Sequence, residues 1–170
     1  MKLIGVLFIV LSSGSVGYQI SRAMKTRCHL LRNLRSSVCM LKNEIIVCAT
    51  PLPQAFALMG ASLNGAIGKL FSDVAHKMNK HRWITVLAAM EEAIEADNDL
   101  KKDEKLRVEL RNMAEGLGKY DKDSQASILD QTIERLGTMI EQAEQEQRMK
   151  SKTYEVLGLC AGLSLIILLM

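Results

Sequence analysis

The chain has 170 residues, of which 24% are charged and 4% aromatic, with a net charge of +3. Two prolines and so few aromatic residues argue against a many-stranded β-sandwich or barrel, and a hydrophobic content of 48% is too high for a disordered protein. A small positive net charge does not by itself indicate nucleic-acid binding. The composition favours a mostly helical protein with about one domain.

A long uncharged segment follows Lys2, and its length is close to the roughly 20 apolar residues that span a bilayer as a helix. We therefore predict an N-terminal membrane helix over residues 1–21. The alternative is a cleaved signal peptide with a small-residue site at Ser21-Arg22-Ala23, which predicts a mature chain beginning near Met24. A basic flank with no acid before Glu44 favours the membrane span and a cytoplasmic location for the middle of the chain. Its basic residues are Arg22, Lys25, Arg27, Arg32 and Arg35.

Apolar residues recur at three- and four-residue steps after this segment, which predicts a series of helices. The first helix continues from the N-terminal segment and ends before Pro51, because proline disfavours a helical residue in front of it. Its apolar stripe is Leu30, Leu31, Leu34, Val38, Leu41, Ile45 and Cys48. Thr50 is predicted to cap a short second helix over about residues 52–59, with Pro51 at the first helical position.

The central helices are predicted from three further stripes, and a turn at residues 60–65 precedes the first of them. The third stripe is Ile67, Leu70, Phe71, Val74 and Met78. The fourth stripe is Trp83, Val86, Leu87, Met90 and Ile94, and we expect Asp97-Asn98-Asp99 to break its helix. The fifth stripe is Leu106, Leu110, Met113 and Leu117, and its helix is expected to end at residues 116–118.

The sixth helix is predicted to begin at Asp123 or Ser124, either of which can cap it. Its inward-facing residues are Ile128, Leu129, Ile133, Leu136 and Ile140. No helix breaker comes after them, so this helix is expected to continue into a second uncharged segment that closes the chain. We predict a C-terminal membrane helix over residues 154–170, preceded by basic residues that again favour a cytoplasmic middle.

The predicted fold is all-α: an antiparallel bundle of about six helices, flanked by an N-terminal and a C-terminal membrane helix. The bundle is expected to occupy residues 22–153 and to lie in the cytoplasm, with both short termini outside. The basic stretch at residues 22–42 has no interleaved aromatic residue, so it predicts contact with lipid headgroups rather than with nucleic acid.

No arrangement of residues that would carry catalysis is visible in the sequence. The four cysteines form no C-x-x-C pair, and the three histidines lack metal-ligand spacing. There is no phosphate-binding loop and no G-x-S-x-G nucleophile motif. The carboxylate pairs Glu91-Glu92 and Asp97/Asp99 are interpreted as solvent-facing. We therefore expect a protein that is not an enzyme, with no catalytic residue, metal, cofactor or small-molecule substrate.

Three ordered groups of residues carry a family resemblance. The first group is KLIG at residues 2–5, LRNL at 31–34, LKNEI at 41–45 and TPLPQA at 50–55. The second is LGKYD at 117–121 together with Gln125, and the third is KTY at 152–154, LG at 157–158, Gly162 and IILLM at 166–170. In this order, over nearly the whole chain, they resemble the stage III sporulation protein AB family of endospore-forming bacteria.

The resemblance implies a structural role. Members of this family look like half of the inner-membrane platform protein of type II secretion and type IV pilus machines, whose domain is a six-helix antiparallel bundle. The implied location is the mother-cell membrane around the engulfed forespore, in a secretion-like channel that connects the two cells. The implied partners are a secretion-type ATPase and other membrane components of that channel. Without the resemblance, the residues also fit a membrane-tethered helical adaptor or signalling bundle of another pathway.

The connection between the fifth and sixth helices carries the candidate partner contact, which is Tyr120, Asp121 and Gln125. Gly118 suits a helix C-cap with positive φ and Asp123 suits the next N-cap, whereas Tyr120 and Asp121 are not expected to serve in capping. Two interpretations remain open for Asp121. It bonds within its own loop or to a basic residue of the bundle, or it offers, together with Gln125, a polar contact to the ATPase or a ring subunit.

Overall fold

A computed structural model describes the backbone of residues 2–81 and 83–169 and the side chains of residues 22–81 and 83–149. Within these residues the chain forms seven helices and no strand, so the all-α prediction is confirmed. The helices are α1 (Lys2–Ile46), α2 (Leu52–Ser62), α3 (Gly65–Lys80), α4 (Val86–Glu95), α5 (Asn98–Lys102), α6 (Glu104–Gly116) and α7 (Lys122–Leu169). The short helix α5 is additional to the six that the sequence predicts.

The chain divides into two compact units. Unit 1 comprises Met1–His29 and Met139–Met170, and unit 2 comprises Leu30–Thr138. Both long helices contribute to each unit. In unit 1, Cys28 and Ala143 are buried, and the Cys28 thiol donates to Gln147 Oε1 over 3.8 Å. The expected domain boundaries after residues 21 and 153 stay a prediction.

The two predicted membrane helices, at residues 1–21 and 154–170, lie outside the residues whose side chains are described. Along the backbone, α1 begins at Lys2 and α7 ends at Leu169. In the part of the chain that the structure describes, no helix combines the length and the apolarity needed to cross a bilayer. The membrane placement of the two ends therefore stays a prediction.

In unit 2, α1 and α7 run antiparallel. Arg35 Nε donates to the Ile133 carbonyl over 3.3 Å, and further along α1 Lys42 Nζ lies 2.6 Å from both carboxylate oxygens of Asp130. Residue numbers increase along α1 while those of the contacted residues decrease along α7, as expected for an antiparallel pair of helices. The completely buried apolar residues of α1 are Leu31, Leu34, Val38 and Leu41.

Helices α2 to α6 complete the core of unit 2. Their fully buried large side chains include Phe56, Phe71, Leu70, Met90, Ile94, Leu106 and Leu110. The Phe56 and Phe71 rings join α2 to α3, with centroids 5.8 Å apart. Gly60 allows these two helices to approach closely, because a Cβ atom there would lie 2.7 Å from the backbone nitrogen of Ser72. The apolar stripes of the sequence thus identify most of the core.

The start and end of α2 differ from the expectation. Thr50 does not cap this helix: Pro51 occupies the N-cap position, and the Thr50 hydroxyl donates to Glu44 Oε2 over 2.9 Å. The predicted turn at residues 60–65 is also wrong, because α2 continues through Gly60 to Ser62. Gly60 lies inside α2, where its missing side chain allows the close approach of α3, and it does not end the helix.

The segment Asp97-Asn98-Asp99 ends α4, as expected, but it also begins α5. Asp97 Oδ1 accepts hydrogen bonds from the backbone nitrogens of Asp99 at 2.9 Å and Leu100 at 3.2 Å. Leu100 is completely buried, so this five-residue helix anchors one side chain in the core.

Three residues assigned to apolar stripes lie outside the helices, and one of them, Leu117, is buried at the C-cap of α6. Trp83 precedes α4 and is 97% exposed, because the Thr85 hydroxyl accepts a hydrogen bond from Ala88 N and starts the helix after the tryptophan. Cys48 lies beyond the end of α1 and is exposed. The assignment of Trp83 and Cys48 to the fourth and first stripes is therefore wrong.

Candidate functional site

An apolar groove with a volume of about 710 Å³ lies in unit 2. Its walls come from the start of α2, the end of α3, the start of α4 and the connection between α6 and α7. The main apolar lining residues are Leu52, Pro53, Met78, Ile84, Val86 and Leu117. A concave apolar surface of this kind is a typical place for a ligand or a partner segment to bind.

Gly118, in the α6–α7 connection, is one of the residues that line this groove. Its φ is +80°, a left-handed backbone conformation that favours glycine, as predicted for the C-cap. A Cβ atom at Gly118 would lie 3.1 Å from Leu52 Cδ1 and 3.6 Å from Val86 Cγ2. The missing side chain therefore lets the connection lie close to the first residues of α2 and α4.

Asp121 caps α7. Its carbonyl oxygen accepts the Gln125 N–H over 3.0 Å, which is the first bond of the helix, and its Oδ1 accepts the Ser124 hydroxyl over 2.6 Å. The Ser124 hydroxyl, together with backbone N–H groups near the helix start, holds the pKa of the Asp121 carboxyl below its usual value. The expectation that Asp121 is not needed for capping is therefore wrong, and Asp123 lies in the first turn of α7.

Gln125 also stabilises the same connection, since its Nε2 donates to the Tyr120 carbonyl over 2.8 Å. The structure thus brings Tyr120, Asp121 and Gln125 together at the start of α7. The Tyr120 side chain is 50% exposed, and Lys119 Nζ lies 5.6 Å from its ring centroid. Because Gly118 and Lys119 line the groove, the predicted contact residues lie directly at its edge. Their contact with a partner stays a prediction.

Trp83 is the candidate functional residue that the sequence analysis missed. It lies in the α3–α4 connection, one residue before Ile84, which lines the groove. The signal that identifies it is Thr85: an N-cap residue there leaves Trp83 in front of the helix, next to the basic residues Lys80 and His81.

The paired carboxylates form ion pairs at the surface of unit 2. Glu91 Oε1 lies 2.8 Å from Arg111 Nε, and Glu92 Oε2 lies 2.6 Å from Lys77 Nζ. The hydrogen bond from Lys77 lowers the pKa of Glu92, and a hydrogen bond from Lys101 lowers the pKa of Glu95. These pairs link neighbouring helices, and each exposed pair contributes little stability by itself.

Glu109 is a carboxylate in a different setting. It is only 7% exposed, and its Oε2 lies 3.4 Å from Arg135 NH1 on α7. Among the described residues, no group of three or more His, Cys, Asp and Glu side chains could hold a metal ion. The contact between Glu109 and Arg135 thus connects α6 to α7.

Comparison with known proteins places the chain in a family. A family model described as stage III sporulation protein AB matches residues 2–170. The chain belongs to the stage III sporulation protein AB family. The stage III sporulation protein AB of Bacillus subtilis (strain 168) is 30% identical to it over 171 residues, which cover 100% of this chain and 99% of that protein. The resemblance inferred from the ordered residue groups is therefore confirmed.

A solved structure of a stage III sporulation protein AB has the same fold. It aligns with a TM-score of 0.64 and 24% sequence identity, covering 71% of this chain and 94% of that one. Membership of the stage III sporulation protein AB family supports a role in sporulation for this chain.

Proposed function

We propose that the chain is a structural platform of the channel apparatus that connects mother cell and forespore, coupling a secretion-type ATPase to membrane components of that channel. The observation that carries this proposal is the family match over residues 2–170. A resemblance of the family to the platform proteins of type II secretion and type IV pilus machines supplies the specific role.

The architecture of unit 2 supports a scaffolding role. A scaffold requires a rigid body with exposed contact surfaces, and unit 2 offers a helical core, an apolar groove and an exposed Trp83. Its prominent carboxylates are engaged in ion pairs between helices, including Glu91 with Arg111 and Glu92 with Lys77. These features suit the binding of other proteins.

The proposal places residues 1–21 and 154–170 in the mother-cell membrane and residues 22–153 in the cytoplasm, on the same side as the cytoplasmic ATPase. Uncharged segments at both ends of the sequence and basic residues on their inner flanks support this topology.

The proposal is tested by chemical crosslinking in sporulating cells, with subsequent purification of the tagged full-length chain and mass spectrometry. We expect the secretion-type ATPase and membrane proteins of the channel to be enriched over a purification with an unrelated tagged membrane protein. Recovery of proteins from another pathway, with neither the ATPase nor channel components, would support a membrane-tethered adaptor and refute the platform.

A further inference from the structure

We propose that Trp83 and the apolar groove form one docking surface for an amphipathic helix of a partner protein, and that this helix carries acidic residues where it faces the α3–α4 connection. The inference rests on the proposed function, because it describes how a platform would hold one of its partners. It adds the binding site on this chain and the chemistry of the partner segment.

The apolar part of the surface consists of a cavity and an adjacent side chain. Trp83 is 97% exposed, so nearly the whole indole is in contact with water. Large aromatic side chains dominate the energetics of interfaces when they become buried, and tryptophan is enriched among the residues that carry most of the binding energy. The next residue, Ile84, lines the groove, so Trp83 lies one residue along the chain from the groove lining.

The charges around the groove are unevenly distributed. Lys80 ends α3, and the connection from His81 to Thr85 that follows it contains no acidic residue. Within residues 22–81 and 83–149, no ion pair engages Lys80, whereas Lys77 one turn earlier is paired with Glu92 at 2.6 Å. The α6 side of the groove is balanced, since Lys119 Nζ lies 4.0 Å from Glu115 Oε1. An acidic residue of the partner would therefore find complementary charge beside Trp83.

The concave shape favours a protein helix over a membrane surface. The groove lies between walls contributed by four elements, which suits the insertion of side chains spaced at three and four residues along a helix. A flat bilayer surface cannot fill such a groove.

The test is site-specific photocrosslinking in sporulating cells that express the full-length chain. The photoreactive residue p-benzoylphenylalanine replaces the exposed His81, which leaves Trp83 in place, and the matched control carries it at Val108, which is 46% exposed on α6. Mass spectrometry of the digested product identifies the crosslinked segment. We expect position 81 to crosslink to one protein segment that has apolar residues at helical spacing and Asp or Glu next to the crosslink, and position 108 to leave it unlabelled.

Two variants in the position-81 background test the components of the surface. Trp83→Ala is expected to lower the yield of the crosslink about tenfold or more, the loss in affinity typical of an interface hot spot. Lys80→Glu is expected to lower it as well, because it reverses the charge that faces the acidic residue. Equal yields in the two variants and the parent would overturn the proposal.

The other outcomes separate this inference from the proposed function. Crosslinks to lipid, to a segment without acidic residues, or to nothing would overturn the docking surface even if the ATPase and channel proteins are still recovered by purification of the tagged chain. A crosslink to an acidic amphipathic helix of a protein from another pathway would uphold the docking surface and refute the platform function.

Discussion

Replacing Gly60 with alanine is expected to destabilise unit 2, although alanine is the better helix former. A Cβ atom at this position would lie 2.7 Å from the backbone nitrogen of Ser72 and 2.9 Å from its Cα, and closer still to its Oγ. The two backbone atoms belong to α3 and cannot rotate away, so α2 and α3 must separate. Overpacking of this kind costs about 1–3 kcal/mol.

The helix propensity of alanine offsets part of this cost. Replacing a glycine inside a helix by alanine gains about 0.5–1 kcal/mol. The net effect of Gly60→Ala is therefore a loss of up to about 2.5 kcal/mol, which lowers the melting temperature of a chain of this size by up to about 10 °C. The assay is thermal unfolding of the full-length chain in detergent, monitored by circular dichroism.

Gly137→Ala is the matched control, since this glycine also lies inside a helix. The nearest atoms to a Cβ there are Arg35 Nε at 3.7 Å and Arg35 Cζ at 3.9 Å, which are ordinary van der Waals contacts. Gly137→Ala is expected to stabilise the chain by about 0.5–1 kcal/mol. If Gly60→Ala stabilised the protein to the same extent, the close approach of α2 and α3 would be refuted.

Three further predictions concern the core, the cap of α7 and the topology. Leu110 is completely buried, so Leu110→Ala should cost about 2–5 kcal/mol in the free energy of unfolding, and a change within about 0.5 kcal/mol would place it at the surface. Asp121→Ala should lower the melting temperature, whereas Asp121→Asn should retain most of it, because asparagine is an equally good N-cap. The pKa of the Asp121 carboxyl is lower in the folded chain than in the unfolded chain, so its negative charge stabilises the fold above the unfolded pKa. The difference in melting temperature between the wild type and Asp121→Ala should therefore shrink as the pH falls through the folded pKa. If Asp121→Asn melts normally but blocks spore formation, the predicted partner contact of Asp121 is supported. If spores form normally, the prediction of a partner contact at Asp121 is refuted. A cysteine at the exposed Ser36, in a chain without native cysteines, should react with an impermeant reagent only after the membrane is permeabilised, and labelling in intact protoplasts would reverse the topology.

The core positions of the longer helices could be predicted from the sequence because each depends on its own spacing. Leu106, Leu110, Met113 and Leu117 recur at helical steps, and all four are buried. The positive φ of Gly118 was equally predictable, since a glycine after an apolar stripe is a common helix C-cap.

Features that depend on distant residues could not be predicted in this way. Glu109 is nearly buried because Arg135, 26 residues later, supplies its partner. The groove likewise combines distant parts of the chain, since Gly118 lies close to Leu52 and Val86 and all three line it.

The position of Trp83 shows that apolar periodicity does not determine where a helix begins. Periodicity assigns every apolar residue near a stripe to the core, and tryptophan fits that pattern at the start of the fourth helix. The hydrogen bond from Ala88 N to the Thr85 hydroxyl starts α4 after Trp83, so the tryptophan lies outside the helix and outside the core. Trp83, which the sequence pattern assigns to the core, is therefore an exposed residue suited to partner binding.

The central claim is that this chain acts in sporulation by holding partner proteins at the Trp83 end of unit 2. The most direct measurement is the count of heat-resistant spores formed when Trp83→Ala replaces the wild-type chain, with Val108→Ala as the matched exposed control. Both substitutions should leave the free energy of unfolding within about 0.5 kcal/mol of the wild type, because both side chains are exposed. The account predicts that Trp83→Ala loses most of its spores while Val108→Ala forms them normally. Wild-type spore counts with a stably produced Trp83→Ala chain would contradict it.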